Sequence, residues 1–99
     1  MAGRSLIIVA EDLSIRRKRL RLLAHGRGML EVELLLRPFA DAELPALDQA
    51  GLDAFERLLK IEDLDLWEII VGRRSIPDDL DAGMIDKLRG RLAGRRPGG

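Results

Sequence analysis

The sequence predicts an all-α fold, a small five-helix bundle in a single domain. Apolar residues, mostly Leu and Ile, recur at helical spacing in five successive stretches joined by short turns. No stretch shows the sustained apolar–polar alternation of a half-buried sheet, and no internal repeat or low-complexity segment interrupts the pattern. Ninety-nine residues suit one thin core, since a chain this short buries only roughly 60–70% of its unfolded surface. With two Phe, one Trp and no Tyr, that core rests on aliphatic side chains.

Residues 1–12 read as a flexible N-terminal arm, because the run Leu6–Val9 would be unstable as a lone strand. The first helix is predicted from about Ser14, with Asp12 or Ser14 as its N-cap, to about His25. Its apolar residues are Ile15, Leu20, Leu22 and Leu23, set among Arg16, Arg17, Lys18, Arg19 and Arg21. Gly26 and Gly28 bracket Arg27 and predict a C-cap and turn.

The second helix is predicted over Met29–Phe39, with Leu30, Leu34 and either Leu35 or Leu36 inward, and with Pro38 distorting or ending its last turn. Ala40–Ala46 then reads as the longest connection. The third helix has the cleanest pattern, Leu52, Phe55, Leu58 and Leu59, with Asp48 as its N-cap. The fourth is predicted over Leu64–Val71, with Leu66, Trp67, Ile70 and Val71 inward and Gly72 closing it. A loop through Pro77 leads to a fifth helix starting near Asp79 or Asp81, with Leu80, Met84, Ile85, Leu88 and Leu92 as its stripe. The helical domain spans 13–93, and 94–99 read as a disordered tail.

Composition excludes much chemistry. The absence of Cys removes disulfides, thiolate metal sites and a cysteine nucleophile, and a single His removes any site needing two imidazoles. No apolar run approaches the roughly 20 residues that a bilayer requires, and the acids Glu11 and Asp12 argue against an organellar leader. A cytoplasmic protein without membrane insertion is the expectation. Formal charge is zero but segregated: residues 1–30 carry net +5, 31–81 net −9 and 82–99 net +4. Such segments either steer a partner or attract one another within the fold.

His25 reads as a residue satisfying carbonyls at a helix C-terminus, and an enzyme using His25 and Glu31 is the weakest reading. The carboxylates Asp63 and Asp65, and Asp78 to Asp81, sit at helix starts, where capping and the helix dipole explain them without a metal. The alternative function is a small nucleic-acid-binding regulator using the basic run Arg16–Arg21, against which stand neutral overall charge and few aromatics for stacking bases. Arg27 and Glu31, four apart, could form a surface ion pair, and Gly28 leaves the backbone beside Arg27 uncovered.

Arg27-Gly28-Met29-Leu30-Glu31 matches an R-G-x-x-E motif, and other blocks follow in register. These are Leu34-Leu35-Leu36-Arg37-Pro38-Phe39, Asp53-Ala54-Phe55-Glu56-Arg57-Leu58-Leu59 and Asp63-Leu64-Asp65-Leu66-Trp67, with Pro77 and acids before the last helix. In these blocks the chain resembles the succinate dehydrogenase FAD assembly factors, or flavinators, over roughly residues 14–93. It departs from their pattern at Gly26, where a second basic residue is common, and at Leu64, where proline is favoured.

The resemblance implies a non-catalytic, chaperone-like protein that is monomeric when free. Its implied partner is the flavoprotein subunit of succinate dehydrogenase, and in some bacteria that of fumarate reductase. It implies no stably bound cofactor, FAD being the group attached covalently to a histidine of the partner. Arg27, Gly28 and Glu31, with Met29 and Arg19, are the implied partner-binding residues. Catalytic, cofactor-binding and metal-binding residues are expected to be none.

Overall fold

The computed structural model describes residues 2–95 of the chain, and the side chains of residues 13–94. Five helices and no strand are found there: α1 (Ala2–His25), α2 (Leu30–Glu43), α3 (Gln49–Leu59), α4 (Asp63–Ile70) and α5 (Ala82–Arg95), with a 3-10 turn at Leu44–Ala46. Helix α2 is central, packed by α1, α4 and α5, while α3 lies against α1. Phe39 of α2 meets Phe55 of α3 with ring centroids 5.7 Å apart at 41°, a tilted pair within the favourable aromatic range.

The bundle is as predicted, but several element boundaries and faces differ. Helix α1 starts at Ala2, not at Ser14, so neither Asp12 nor Ser14 is a cap. Ala2, Leu6, Ala10 and Leu13 favour helix and no proline interrupts the stretch, so helical backbone continues through the segment read as an arm. At the other end α5 reaches Arg95, and the remainder of the expected tail lies outside the described residues.

Helix α2 runs four residues past Phe39, with Pro38 inside it. Proline removes one ladder donor, but Phe39 and Ala40 immediately after it are fully packed, and their burial carries the helix through. The connection expected at Ala40–Ala46 is therefore mostly helical, and the longest irregular segment is instead Val71–Asp81.

The inward face of α2 also needs correction, and that of α1 uses few of its apolar residues. Among the described side chains of α1, Leu20 and Ala24 are buried, whereas Ile15, Leu22 and Leu23 are 61%, 73% and 48% exposed. On α2, Val32, Leu35, Leu36, Phe39 and Ala40 face the core, and Leu30 and Leu34 face outward. In both helices apolar residues on two faces left the phase ambiguous, and packing chose the face that meets more neighbours.

The second half follows its sequence closely. Leu52, Phe55, Leu58 and Leu59 are buried, and Asp48 caps α3 by accepting from the Gly51 N–H at 2.9 Å. Leu66 and Ile70 are buried with Ile69, while Trp67 is partly buried against the same core. Asp81 caps α5, accepting from the Met84 N–H at 3.1 Å, and Leu80, Met84, Ile85 and Leu88 are buried behind it. Helix α4 ends in a Schellman motif: the Arg73 N–H reaches the Glu68 carbonyl at 2.9 Å and the Gly72 N–H reaches Ile69 at 3.2 Å. Gly72 has φ +86°, which only glycine adopts cheaply. Gly26 and Gly28 have no positive φ, so the predicted left-handed cap of α1 does not form.

Gly72 and Gly90 make a paired test, because a Cβ meets no atom within 4 Å at either. Gly72→Ala should cost about 1–2 kcal/mol through its left-handed backbone. Gly90→Ala, inside α5, should gain about 0.5–1 kcal/mol. Urea midpoints measured on both variants check the opposite signs.

Candidate functional site

Between α1 and α2 the chain turns through Gly26–Met29 and docks onto the turn between α3 and α4. Arg27 makes that joint. Its Nε donates to Asp63 Oδ1 at 2.5 Å, its Nη1 to the Leu59 carbonyl at 2.6 Å and its Nη2 to the Ile61 carbonyl at 2.5 Å. The carbonyls of Leu59 and Ile61 lie where α3 ends, so Arg27 satisfies acceptors that the helix leaves open. The second Asp63 oxygen accepts from the Met29 N–H at 2.7 Å, a donor near the start of α2. One carboxylate thus holds the guanidinium and the backbone on either side of Gly28.

The Arg27 and Asp63 side chains are only 11% and 17% exposed. Burial pushes the Asp63 carboxyl up, but the Met29 N–H, the Arg27 guanidinium and the Gly28 backbone outweigh it and hold the group below its ordinary value. Asp63 was legible only as a helix-start acid; the signal for its other role was its place in a block resembling the flavinators. Leu64 is exposed in the first turn of α4, which starts at Asp63.

The expected Arg27–Glu31 ion pair is absent, because Arg27 is turned inward onto Asp63. Glu31 is exposed on α2 and has no ion pair or hydrogen bond among the described residues. Its neighbour Glu33 does, with Arg37 at 3.6 Å. Gly28 is exposed, and a Cβ there would stand 3.3 Å from Asp63 Oδ2, so its small size serves the closure of the turn itself. Met29 is partly buried against the core. Arg19 is not brought to this turn: it lies two turns back on α1 and pairs with Glu56 of α3 at 3.3 Å.

Two shallow hollows adjoin the motif. One, of about 370 Å³, is lined by Arg27 and Gly28 with Leu23, Leu59, Ile61 and Asp63 among others. The other, of about 140 Å³, is lined by Glu31, Leu34, Leu35, Trp67 and Leu92. A larger cleft of about 590 Å³ between α1 and α2 shares no residue with the motif.

The remaining candidates fold inward. Arg16 pairs with Asp53 at 2.6 Å and with Glu56, Arg17 donates to the Leu44 and Leu47 carbonyls, and Arg21 pairs with Asp41 at 2.9 Å. Of the basic run only Lys18 has no such partner among the described residues; Lys18, Arg19 and Arg21 are exposed, but Arg19 and Arg21 are paired with acids of the fold, which lowers the charge left to a phosphate row. His25, expected on helix-end carbonyls, lies 3.2 Å from Asp41 Oδ1 instead. Among the described residues no group of acids and histidine could hold a metal, and no helix is long and apolar enough to cross a membrane.

A small helical bundle that braces one turn from within, and leaves an unpaired carboxylate beside apolar hollows, has the build of a protein-docking module. Residues 18–92 match the family model described as flavinator of succinate dehydrogenase, and the chain belongs to that family. It is 39% identical over 67 residues to the FAD assembly factor SdhE of Shewanella oneidensis, covering 68% of this chain and 82% of that protein. It is 32% identical over 83 residues to the FAD assembly factor SdhE of Idiomarina loihiensis, covering 84% and 91%. A mitochondrial succinate dehydrogenase assembly factor 2 from Mycosarcoma maydis is 47% identical over 51 residues, covering 52% of this chain and 21% of that longer protein. No solved structure matches the chain significantly.

Asp63 sets a pH dependence. Its carboxyl is harder to protonate folded than unfolded, so its contribution is complete above the ordinary carboxylate value of 3.8 and is lost as pH falls through the lower folded value. Asp63→Asn should lower stability at neutral pH by about 1.5–3 kcal/mol, the scale of a hydrogen bond to a charged group. It should also flatten the decline below pH 4 in denaturant titrations.

Proposed function

We propose that this protein is an assembly factor that binds the flavoprotein subunit of succinate dehydrogenase and promotes covalent attachment of FAD to it. The observation that carries the reading is the R-G-x-x-E turn, held rigid from inside by Asp63 and leaving Gly28 and Glu31 exposed on a chain of the flavinator family. Family membership supplies the partner; the geometry divides the labour. Arg27 positions the turn, Gly28 lets a partner backbone approach, and Glu31 offers a carboxylate without an internal partner.

The protein itself needs no catalytic group for this. Attachment requires a histidine nitrogen of the partner to be held against the flavin while charge develops on the ring system, and correct placement of reacting groups lowers barriers substantially. An assembly factor supplies such placement by binding one conformation of the flavoprotein more tightly than others. FAD belongs to the partner in this reading, and the site of action is the cytoplasm, where the apoprotein would be met before assembly.

Deletion of the gene should abolish the fluorescent flavoprotein band in denaturing gels. Wild type should restore the band and Glu31→Ala should not, although that variant should keep wild-type stability within about 0.5 kcal/mol because Glu31 is exposed and unpaired. An undiminished band in the deletion strain would overturn the function.

A further inference from the structure

Helices α2, α4 and α5 meet at the second hollow beside the motif, where Leu34, Leu35, Trp67 and Leu92 form apolar walls and Glu31 stands at the edge. Leu35 is 2% exposed and closes the floor, whereas Leu34 is 37% exposed and Trp67 and Leu92 are half-buried. The hollow is therefore an opening in the core surface with a wall that water still touches. Its volume of about 140 Å³ is close to that of a roughly 150 Å³ apolar cavity, which accepts a benzene-sized group. One Leu, Met or Phe side chain fills such a space.

The rim fixes what accompanies that side chain. Glu31 has no ion-pair partner among the described residues, while Glu33 two residues on is paired with Arg37. A carboxylate beside apolar walls strengthens any ion pair that covers it, because the partner removes water as it binds. The complementary ligand is an apolar side chain with a Lys or Arg within a turn of it.

We propose that this hollow receives such an apolar–basic pair from the flavoprotein subunit, so that the docking surface extends from Gly28 and Glu31 across α2 to Trp67 and Leu92. The inference rests on the function proposed above, and Glu31 makes the hollow continuous with the turn assigned to that partner. An apolar anchor in a pocket next to a desolvated charge pair is the usual makeup of an energetic centre in an interface.

The test measures binding of the full-length protein to the isolated succinate dehydrogenase flavoprotein subunit by titration calorimetry. Leu34→Ser should weaken binding about tenfold to hundredfold, the worth of burying one aliphatic side chain. Leu34→Trp, which keeps the rim apolar but fills the hollow, should weaken it as well. Glu31→Gln should weaken binding and make it less sensitive to salt. Leu22→Ser, at a 73% exposed leucine on α1 away from the hollow, should bind as wild type does.

Thermal melts of each variant separate lost binding from lost folding. Wild-type affinity in both Leu34 variants, with Glu31→Gln impaired, would overturn the extended surface and leave the assembly function standing. Absence of binding by the wild-type protein would overturn both. A wild-type dimer that Leu34→Ser dissociates would assign the hollow to a second copy and overturn the inference.

Discussion

The Asp63 carboxylate is the joint on which the arrangement of the helices depends. It grips Arg27 with one oxygen and the Met29 N–H with the other, and so ties the α1–α2 turn to the α3–α4 turn. Turns are usually the least restrained parts of a bundle. Here two of them are locked together, and the open carbonyls of Leu59 and Ile61 are satisfied in the same contact. Without Asp63 the Arg27 guanidinium would keep its carbonyl partners but face a low-dielectric site with no counter-charge, a costly state for a side chain that is 11% exposed.

The segregated charge of the chain is resolved by the same logic on a larger scale. Basic α1 and the turn after it lie along the acidic middle: Arg16 meets Asp53 and Glu56, Arg21 meets Asp41 and, in the turn, Arg27 meets Asp63. Lys87 of α5 reaches Glu43 at the end of α2 at 2.7 Å. Individually the exposed pairs contribute little, at most about 1 kcal/mol each. Together they orient α1 on α2 and α3, and α5 on α2, a useful supplement when the apolar core of a short chain is thin and, among the described residues, holds no polar side chain to fix its register. Of the arginines that looked available for phosphate, Arg16 and Arg17 are drawn into the fold, and the exposed Arg19 and Arg21 are paired with its acids.

What could be read from the sequence was what local chemistry decides. Asp48, Asp81 and Gly72 act within a few residues of themselves, and α3 has one apolar face, so its phase had a single solution. The R-G-x-x-E block and its register were visible as a resemblance. What could not be read depends on distant packing. Pro38 stays helical because Phe39 and Ala40 are clamped by other helices, and Leu30 and Leu34 point outward because Val32, Leu35 and Leu36 meet more of the core. The partner of Arg27 lies 36 residues away, and the nearer Glu31 offered a plausible local pair that tertiary structure rejects.

That rejection separates the two charges of the motif. If Arg27 and Glu31 neutralised each other, the motif would present a screened pair, and a partner would have to break it before gaining any contact. Because Asp63 takes the cation, Glu31 has no ion-pair partner among the described residues, and it follows a turn that Asp63 already holds through Arg27 and the Met29 N–H. The arginine and the glutamate of one motif therefore act on opposite sides of the surface. Arg27 supports the turn from the interior, and Glu31 stands on the exposed side of α2.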